Sequence, residues 1–256
     1  MLEAKEIKEN WDSFREEIDL QFPTRAKQIH KMYDDFEDRI AMMPASSMAH
    51  FHNAFAGGYI DHVIRVMNCT HELYNLWTKL GADMSGYTLE ELMFAAMHHD
   101  LGKVGFPGDG KEVYQVETSD WHRKNMGRLY KHNENIPFTM VPDLSIWLLQ
   151  KYEIPMSWNE YQAIKIHDGM YDDSNKPYFV ARSEKAKLKT NMAIVLHHGD
   201  HMAAQIEYER WRNHKAGSPN PVSEKSKATK STAMKNLAEN NPNIGNSIAD
   251  IFKDMS

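Results

Sequence analysis

The chain has 256 residues, 41% of them apolar and 26% charged, which is room for one sizeable core, or one domain with appendages, in an ordinary globular composition. A formal charge of −6 excludes an overall electrostatic bias toward nucleic acid, so any phosphate binding must come from a local patch. A single cysteine, Cys69, cannot form an internal disulfide; Met1 to Asn10 are charged, no stretch approaches the ~20 apolar residues of a membrane span, and a cytoplasmic protein with no membrane partner is expected.

Helical periodicity recurs along the chain and strand signals are weak. Residues 2–19 and 24–42 read as two amphipathic helices separated at Phe22-Pro23, the second ended by Pro44-Ala45-Ser46-Ser47. After a loop with Gly57-Gly58, the apolar positions Ile60, Val63, Ile64, Met67 and Leu73 mark a helix over 59–80. Thr88 followed by Glu91 reads as a capping box for a helix that carries Leu92, Met93 and Ala96 and reaches His99. Further helices are expected over 119–131, 141–151, 157–168 and 188–213. The pattern predicts an all-α bundle, divided into an N-terminal helical extension (1–43), a main domain (44–213) and a tail (214–256). From Lys215 to Asn243 the chain is rich in Ser, Asn, Lys, Pro and Ala and short of large apolar groups, so a flexible tail is expected. Ile248-Ala249-Asp250-Ile251-Phe252 regains an apolar face, which suits either a short helix docking on a protein partner or a frayed end.

The chemistry rests on the histidines, of which there are 14. A lone histidine is ordinarily satisfied by a carbonyl or by water, and His30, His71, His132 and His214 sit in polar contexts where solvation is the default. His99-Asp100 is different, because adjacent side chains on a helix point about a quarter turn apart and can share one metal only if other elements complete the shell. His62 lies early on an apolar helix, where an unpaired ring is costly and a metal would satisfy it.

Three stretches carry a resemblance. Residues 52–63, His-Asn-Ala-Phe-Ala-Gly-Gly-Tyr-Ile-Asp-His-Val, are similar to the first motif of HD domains in bacterial exoribonucleases and some relaxases. Residues 95–103, Ala-Ala-Met-His-His-Asp-Leu-Gly-Lys, resemble the small-residue stretch and His-Asp-Ile/Leu-Gly-Lys that name the HD phosphohydrolase superfamily. Residues 194–204, including His197-His198-Gly199-Asp200, resemble its closing Leu-His-x-Ala-Asp segment. The three motifs occur in family order and span roughly 44–212.

The resemblance implies an HD-domain helical bundle whose first metal is held by His62, His99, Asp100 and Asp200. Members with two metals add histidines between the pair and the last aspartate, with Asp100 bridging; here these are His122, 22 residues after Asp100, and His167, 33 before Asp200. Where several relatives have adjacent histidines before a glycine, this chain has His167-Asp168-Gly169, so Asp168 either ligates, binds solvent or leaves the second ion weakly held. Nitrogen and carboxylate donors suit a divalent Mn, Fe, Co, Ni, Zn or Mg without choosing among them. The implied reaction is hydrolysis of a phosphate ester by attack of metal-bound hydroxide, since a divalent ion lowers the pKa of its water toward ~7 and neutralises phosphoryl charge. Asp100, Lys103 and His122 are the catalytic candidates. Lys103, Arg123, Lys124, Arg128 and Asp168 are the substrate-binding candidates, although for each charge near His122 a solvated helix face is the ordinary reading.

The remaining histidines near the motifs have plainer expectations. His197 is placed to support the site by a hydrogen bond, while His198 and His201 are structural or solvated; His98 is a packed neighbour of His99, and His50 and His52 are loop residues placed to line the pocket. The zinc-protease spacing suggested by His197 and His201 fails because His198 replaces the required Glu.

The exoribonuclease likeness suggests RNA, but neither an RNA-binding domain nor a strong basic field is visible, and a small phosphorylated substrate, a nucleotide or related phosphodiester, is the better expectation. Two alternatives stand beside it. One is a di-iron oxygenase of the same fold acting on a phosphonate or polyol; the other is a non-catalytic nucleotide-binding regulatory module.

Overall fold

The computed structural model describes residues 2–180 and 183–215, which are mostly α-helical with one two-stranded ribbon. The first helix, α1 (Ala4–Gln21), buries Trp11, Phe14 and Ile18, spaced so that they share one face. The segment expected as one helix over 24–42 breaks at Asp35-Phe36 into α2 (Ala26–Asp34) and α3 (Glu37–Ile40). α4 (Gly58–Lys79) lies on α5 (Leu89–His98), and α5 also packs against α1.

Burial surrounds α5, whose residues Leu92 to His98 are all buried, so it forms the centre of the core rather than one amphipathic wall. Its start is the expected capping box: Thr88 Oγ1 accepts from Glu91 N at 3.1 Å and Glu91 Oε2 accepts from Thr88 N at 2.8 Å. A short 3₁₀ turn, Leu101–Val104, follows His99-Asp100 and is covered by α6 (Val141–Lys151). α7 (Trp158–Lys165), begun by a second capping box from Ser157 and Glu160, packs on both α5 and α6. α8 (Lys176–Phe179) is a single turn, and α9 (Met192–Lys215) closes the described chain.

The helix expected over 119–131 does not form. In its place are β1 (Tyr114–Val116), one π turn over His122–Met126 and β2 (Tyr130–His132), with Tyr114 opposite His132 and Val116 opposite Tyr130. Gly127, at φ 66°, ends the turn, Asn125 Nδ2 donates to the Trp121 carbonyl, Tyr130 to His132 lie in register with β1, and the Tyr130 N–H donates to the Ser47 carbonyl at 3.1 Å. Local composition favoured a helix; non-local pairing overrode it.

The helices over 4–40 are part of the same core as the rest, not an appendage. Phe14, Ile18, Phe22, Ile29, Met32 and Tyr33 are fully buried in one cluster with Tyr59, Leu92 and Phe94, and the described residues up to Arg212 form one unit. Arg25 fastens them: its guanidinium lies 3.9 Å from the Phe94 ring centroid and donates to Glu160 at 2.8 Å and Glu90 at 2.9 Å. Among the described residues no helix is long and apolar enough to cross a membrane. The tail and terminal helix expected over 214–256 lie, beyond Lys215, outside the described residues.

His98 is packed in this core. Its ring is stacked on Tyr33 and lies against Phe22 and Phe94, and its Nδ1–H donates to the Phe94 carbonyl at 2.8 Å. Burial pushes its pKa down to about 3. The unfolded chain therefore takes up this proton first as pH falls, and the corresponding stability, complete above the unfolded value near 6.5, is lost between there and about 3. A His98→Phe variant is expected to gain roughly 2 kcal/mol on wild type between pH 7 and pH 5 in denaturant unfolding, at ~1.4 kcal/mol per pH unit. A stability difference that stays constant across that range would show that the ring is not held neutral.

Candidate metal centre

His62, His99, Asp100, His167 and Asp200 converge on one buried cluster. They come from α4, the end of α5, the segment after α7, and α9, so four parts of the chain supply it. His62 Nε2 lies 3.3 Å from Asp200 Oδ1 and 3.6 Å from Asp100 Oδ2. His99 Nε2 lies 3.3 Å from Asp100 Oδ2 and 3.9 Å from Asp200 Oδ1, while His167 Nε2 faces the other oxygen, Asp100 Oδ1, at 3.7 Å. Three overlapping donor groups result, His62–His99–Asp200, His52–His62–Asp100 and His99–Asp100–His167, each with its ligand atoms within 4.8 Å of one another; Asp100 belongs to the last two.

Two close approaches bring the ligands together. α9 runs so near α4 that a Cβ at Gly199 would lie 2.1 Å from Thr70 Oγ1, which is why the residue before Asp200 has no side chain. Gly169, at φ 57°, turns the chain after His167-Asp168, and a Cβ there would lie 2.4 Å from the His197 ring.

The imidazoles are oriented from behind. His62 Nδ1 meets Glu207 Oε2 at 3.1 Å, His99 Nδ1 donates to the Ala96 carbonyl at 2.9 Å, and His167 Nδ1 donates to the Ile164 carbonyl at 2.9 Å. With Nδ1 engaged from behind, each Nε2 is turned toward the carboxylates, the orientation that metal-ligating histidines take. The Nε2 atoms of His62 and His99 are buried and have no hydrogen-bond partner, a costly state that a cation would relieve. Buried His and Asp groups of this kind can hold a metal ion, and the nitrogen and carboxylate donors fit a divalent one.

Electrostatics reinforce the fit. Burial alone would lower the His62 pKa, but the carboxylates of Glu207 and Asp200 outweigh it and hold it up to about 10; His99 is likewise raised by Asp100 against its burial. Burial opposes ionisation of Asp100, yet Lys103 and His99 keep its carboxyl well below the usual range. Asp200 is lowered in the same way by His62 and His99. Two ionised carboxylates are therefore held in a buried place beside exchangeable protons, a site that would give up protons to take up a cation.

Lys103 sits at the edge of the cluster with its side chain 10% exposed, its Nζ 2.5 Å from Asp100 Oδ2 and 3.3 Å from His52 Nε2. His52 itself stacks on His62, with ring centroids 4.6 Å apart. Asp168 is beside the His99–Asp100–His167 group, its Oδ1 3.6 Å from His167 Nε2 and its side chain 43% exposed. His197 donates from Nδ1 to the His167 carbonyl at 2.8 Å and so supports the loop that carries that ligand.

The structure leaves His122 out of all three donor groups. It sits on the π turn, half-exposed, where its Nδ1 is 2.8 Å from the Arg128 guanidinium. Arg128 is itself committed to Glu117 at 2.7 Å and Arg123 donates to the Glu117 carbonyl at 3.3 Å, so both arginines stabilise the turn; Lys124 is exposed on it. The residue expected to reach the centre is held by a loop that is not the expected helix.

Three supports escaped the sequence reading. Glu207 lies seven residues after Asp200, two turns on along the same face of α9, and that spacing was a usable signal. It also accepts from Arg65 Nε at 3.0 Å, and Arg65 reaches Asp61, which accepts from Asn53, so His62 ends a chain of paired polar groups. Ser145 on α6 accepts from Gly102 N at 2.7 Å and is 3.2 Å from the His99 carbonyl, bracing the turn after Asp100. Burial raises the pKa of Tyr114 on β1, and the Lys103 charge opposes that rise. No sequence signal marked Ser145 or Tyr114. No family model matches the chain, and neither a curated protein nor a solved structure matches it.

Proposed function

We propose that the chain is a cytoplasmic, metal-dependent phosphohydrolase of the HD type that cleaves a phosphate ester of a nucleotide or related phosphodiester. The observation that carries this reading is the set of three overlapping donor groups, two of which share Asp100, in which buried imidazole nitrogens face ionised carboxylates beside the largely covered Lys103 ammonium. His62, His99, Asp100 and Asp200 would hold one cation, and Asp100 with His167 and Asp168 a second. Bound there, a divalent cation lowers the pKa of a water and takes up charge on a phosphoryl oxygen.

The chain's own residues supply the rest. Asp100 and His52 fix the Lys103 ammonium from two sides, so a donor for an equatorial phosphoryl oxygen is already oriented and costs little further ordering. The enclosing core excludes water behind the ligands, which strengthens each of these interactions. Asp200, 22% exposed, and Asp168 mark the side on which the cluster meets solvent, and substrate enters there.

The test is metal analysis of the purified protein with a phosphate-release screen over nucleotides, cyclic dinucleotides and simple phosphoesters, each with Mn, Fe, Co, Ni, Zn and Mg. Release is expected with at least one metal, and Lys103→Met is expected to lower kcat/KM by about a hundredfold or more, the scale of one transition-state donor. The same variant should bind metal more tightly, because a positive charge next to Asp100 is gone. Absence of turnover with every metal would overturn the reading.

A further inference from the structure

We infer that Tyr171 and His201 form a stacking platform for the heteroaromatic base of a nucleotide whose phosphate lies at the His62–Asp200 cluster. The placement of the phosphate rests on the phosphohydrolase reading; the platform rests on its own geometry.

Tyr171 is 77% exposed, so a ring face is open to a ligand. It closes the 3₁₀ turn Gly169–Tyr171 that begins immediately after Asp168, so no more than about 11 Å of chain separates it from that carboxylate. The turn is pinned rather than loose, since Gly169 lies flush on the His197 ring and His197 is bonded to the His167 carbonyl. Across from it on α9, His201 directly follows Asp200. The Tyr171 and His201 rings lie at 23° with centroids 5.9 Å apart, and the Tyr171 hydroxyl is 3.4 Å from His201 Nδ1. The ring pair therefore joins two segments that carry metal-ligand candidates, Tyr171 lying three residues after Asp168 and His201 one after Asp200.

The surroundings suit a flat polar heterocycle. A ring already held by its hydroxyl loses little freedom when a base covers it, and every base has a π face to offer. The rim is made of imidazoles and the half-exposed Asp168 carboxylate, which can accept from an exocyclic amino group; an aliphatic chain would leave those groups unsatisfied. The anionic end of a nucleotide would belong at the donor cluster and its neutral base on the adjoining rings.

The test follows adenosine, which carries no phosphate, by equilibrium dialysis against the full chain, and compares KM for AMP and glycerol phosphate with the metal that supports turnover. Adenosine is expected to bind wild type, to bind Tyr171→Ala roughly tenfold more weakly and to bind Tyr171→Phe nearly as well as wild type, as base stacking requires. The preference for AMP over glycerol phosphate is expected to fall about tenfold in Tyr171→Ala. Absence of adenosine binding to wild type, or binding that ignores Tyr171, overturns the platform. Failure to hydrolyse glycerol phosphate or AMP with any metal sinks the hydrolase reading instead, and the dialysis result then decides the platform by itself.

Discussion

On the proposed phosphohydrolase reading, replacing Asp100 with asparagine is expected to lower metal affinity and phosphate release, each by more than about a hundredfold, since even supporting partners of ligands are worth ~10–100-fold. Asp100 is the carboxylate that belongs to two of the three donor groups, with Oδ2 toward His62 and His99 and Oδ1 toward His167. An amide offers one weaker oxygen and a nitrogen that cannot ligate. The variant also leaves the Lys103 ammonium without its partner, and removing one member of a buried pair costs ~3–5 kcal/mol. Metal content per chain after dialysis, read beside the thermal midpoint, separates the two consequences. A variant that keeps its metal while its midpoint falls would show Asp100 to be a structural counter-ion and not a ligand.

Substitution of Glu207 should have the second largest effect, although Glu207 touches no cation site directly. Its carboxylate is fully buried, holds His62 Nδ1 and accepts from Arg65 Nε. Glu207→Ala leaves two buried groups unpaired and is expected to cost ~3–5 kcal/mol in denaturant unfolding. Glu207→Gln keeps the shape, removes the charge, and is expected to weaken metal binding by ~10–100-fold. It also changes the pH dependence. With Glu207 present the metal-free protein keeps a proton on His62 to about pH 10, so metal uptake expels that proton and apparent affinity rises as pH rises toward that value. With glutamine the His62 pKa falls, less proton is expelled, and affinity becomes flatter with pH. Calorimetry in two buffers of different ionisation enthalpy measures the proton count; the same count in wild type and Glu207→Gln would contradict the role given to Glu207.

Much of the helical scaffold was legible because its signals are local. The Thr88–Glu91 capping box, the apolar stripe from Ile60 to Leu73 and the run over 141–151 each name a helix from residues within two or three turns, and all three helices form. The helix expected over 119–131 failed for the same reason: its composition is helical, but Tyr130 to His132 pair with a strand in a segment for which no strand was expected. The break at Asp35-Phe36 and the merging of the N-terminal helices into the main core were equally hidden, since both depend on what those faces meet. At the site, His62, His99, Asp100 and Asp200 were named from motifs, and the structure brings them together. His122 rests on the resemblance to two-metal members and on its distance along the chain, with no motif of its own, and neither can tell whether a loop will carry a ring inward or hold it against Arg128.

By itself the sequence determined that this protein is built of helices, where several of them start, and which histidines and aspartates could serve as donors, because capping, periodicity and donor chemistry are properties of short stretches of chain. Only the tertiary structure decided that Asp100 belongs to two of three donor groups, that His167 and not His122 faces it, that Glu207 sets His62, and that Lys103 lies on Asp100. Those facts depend on distances between residues separated by up to 145 positions, as for His62 and Glu207, and such distances are set by how the packed faces of α4, α5 and α9 meet.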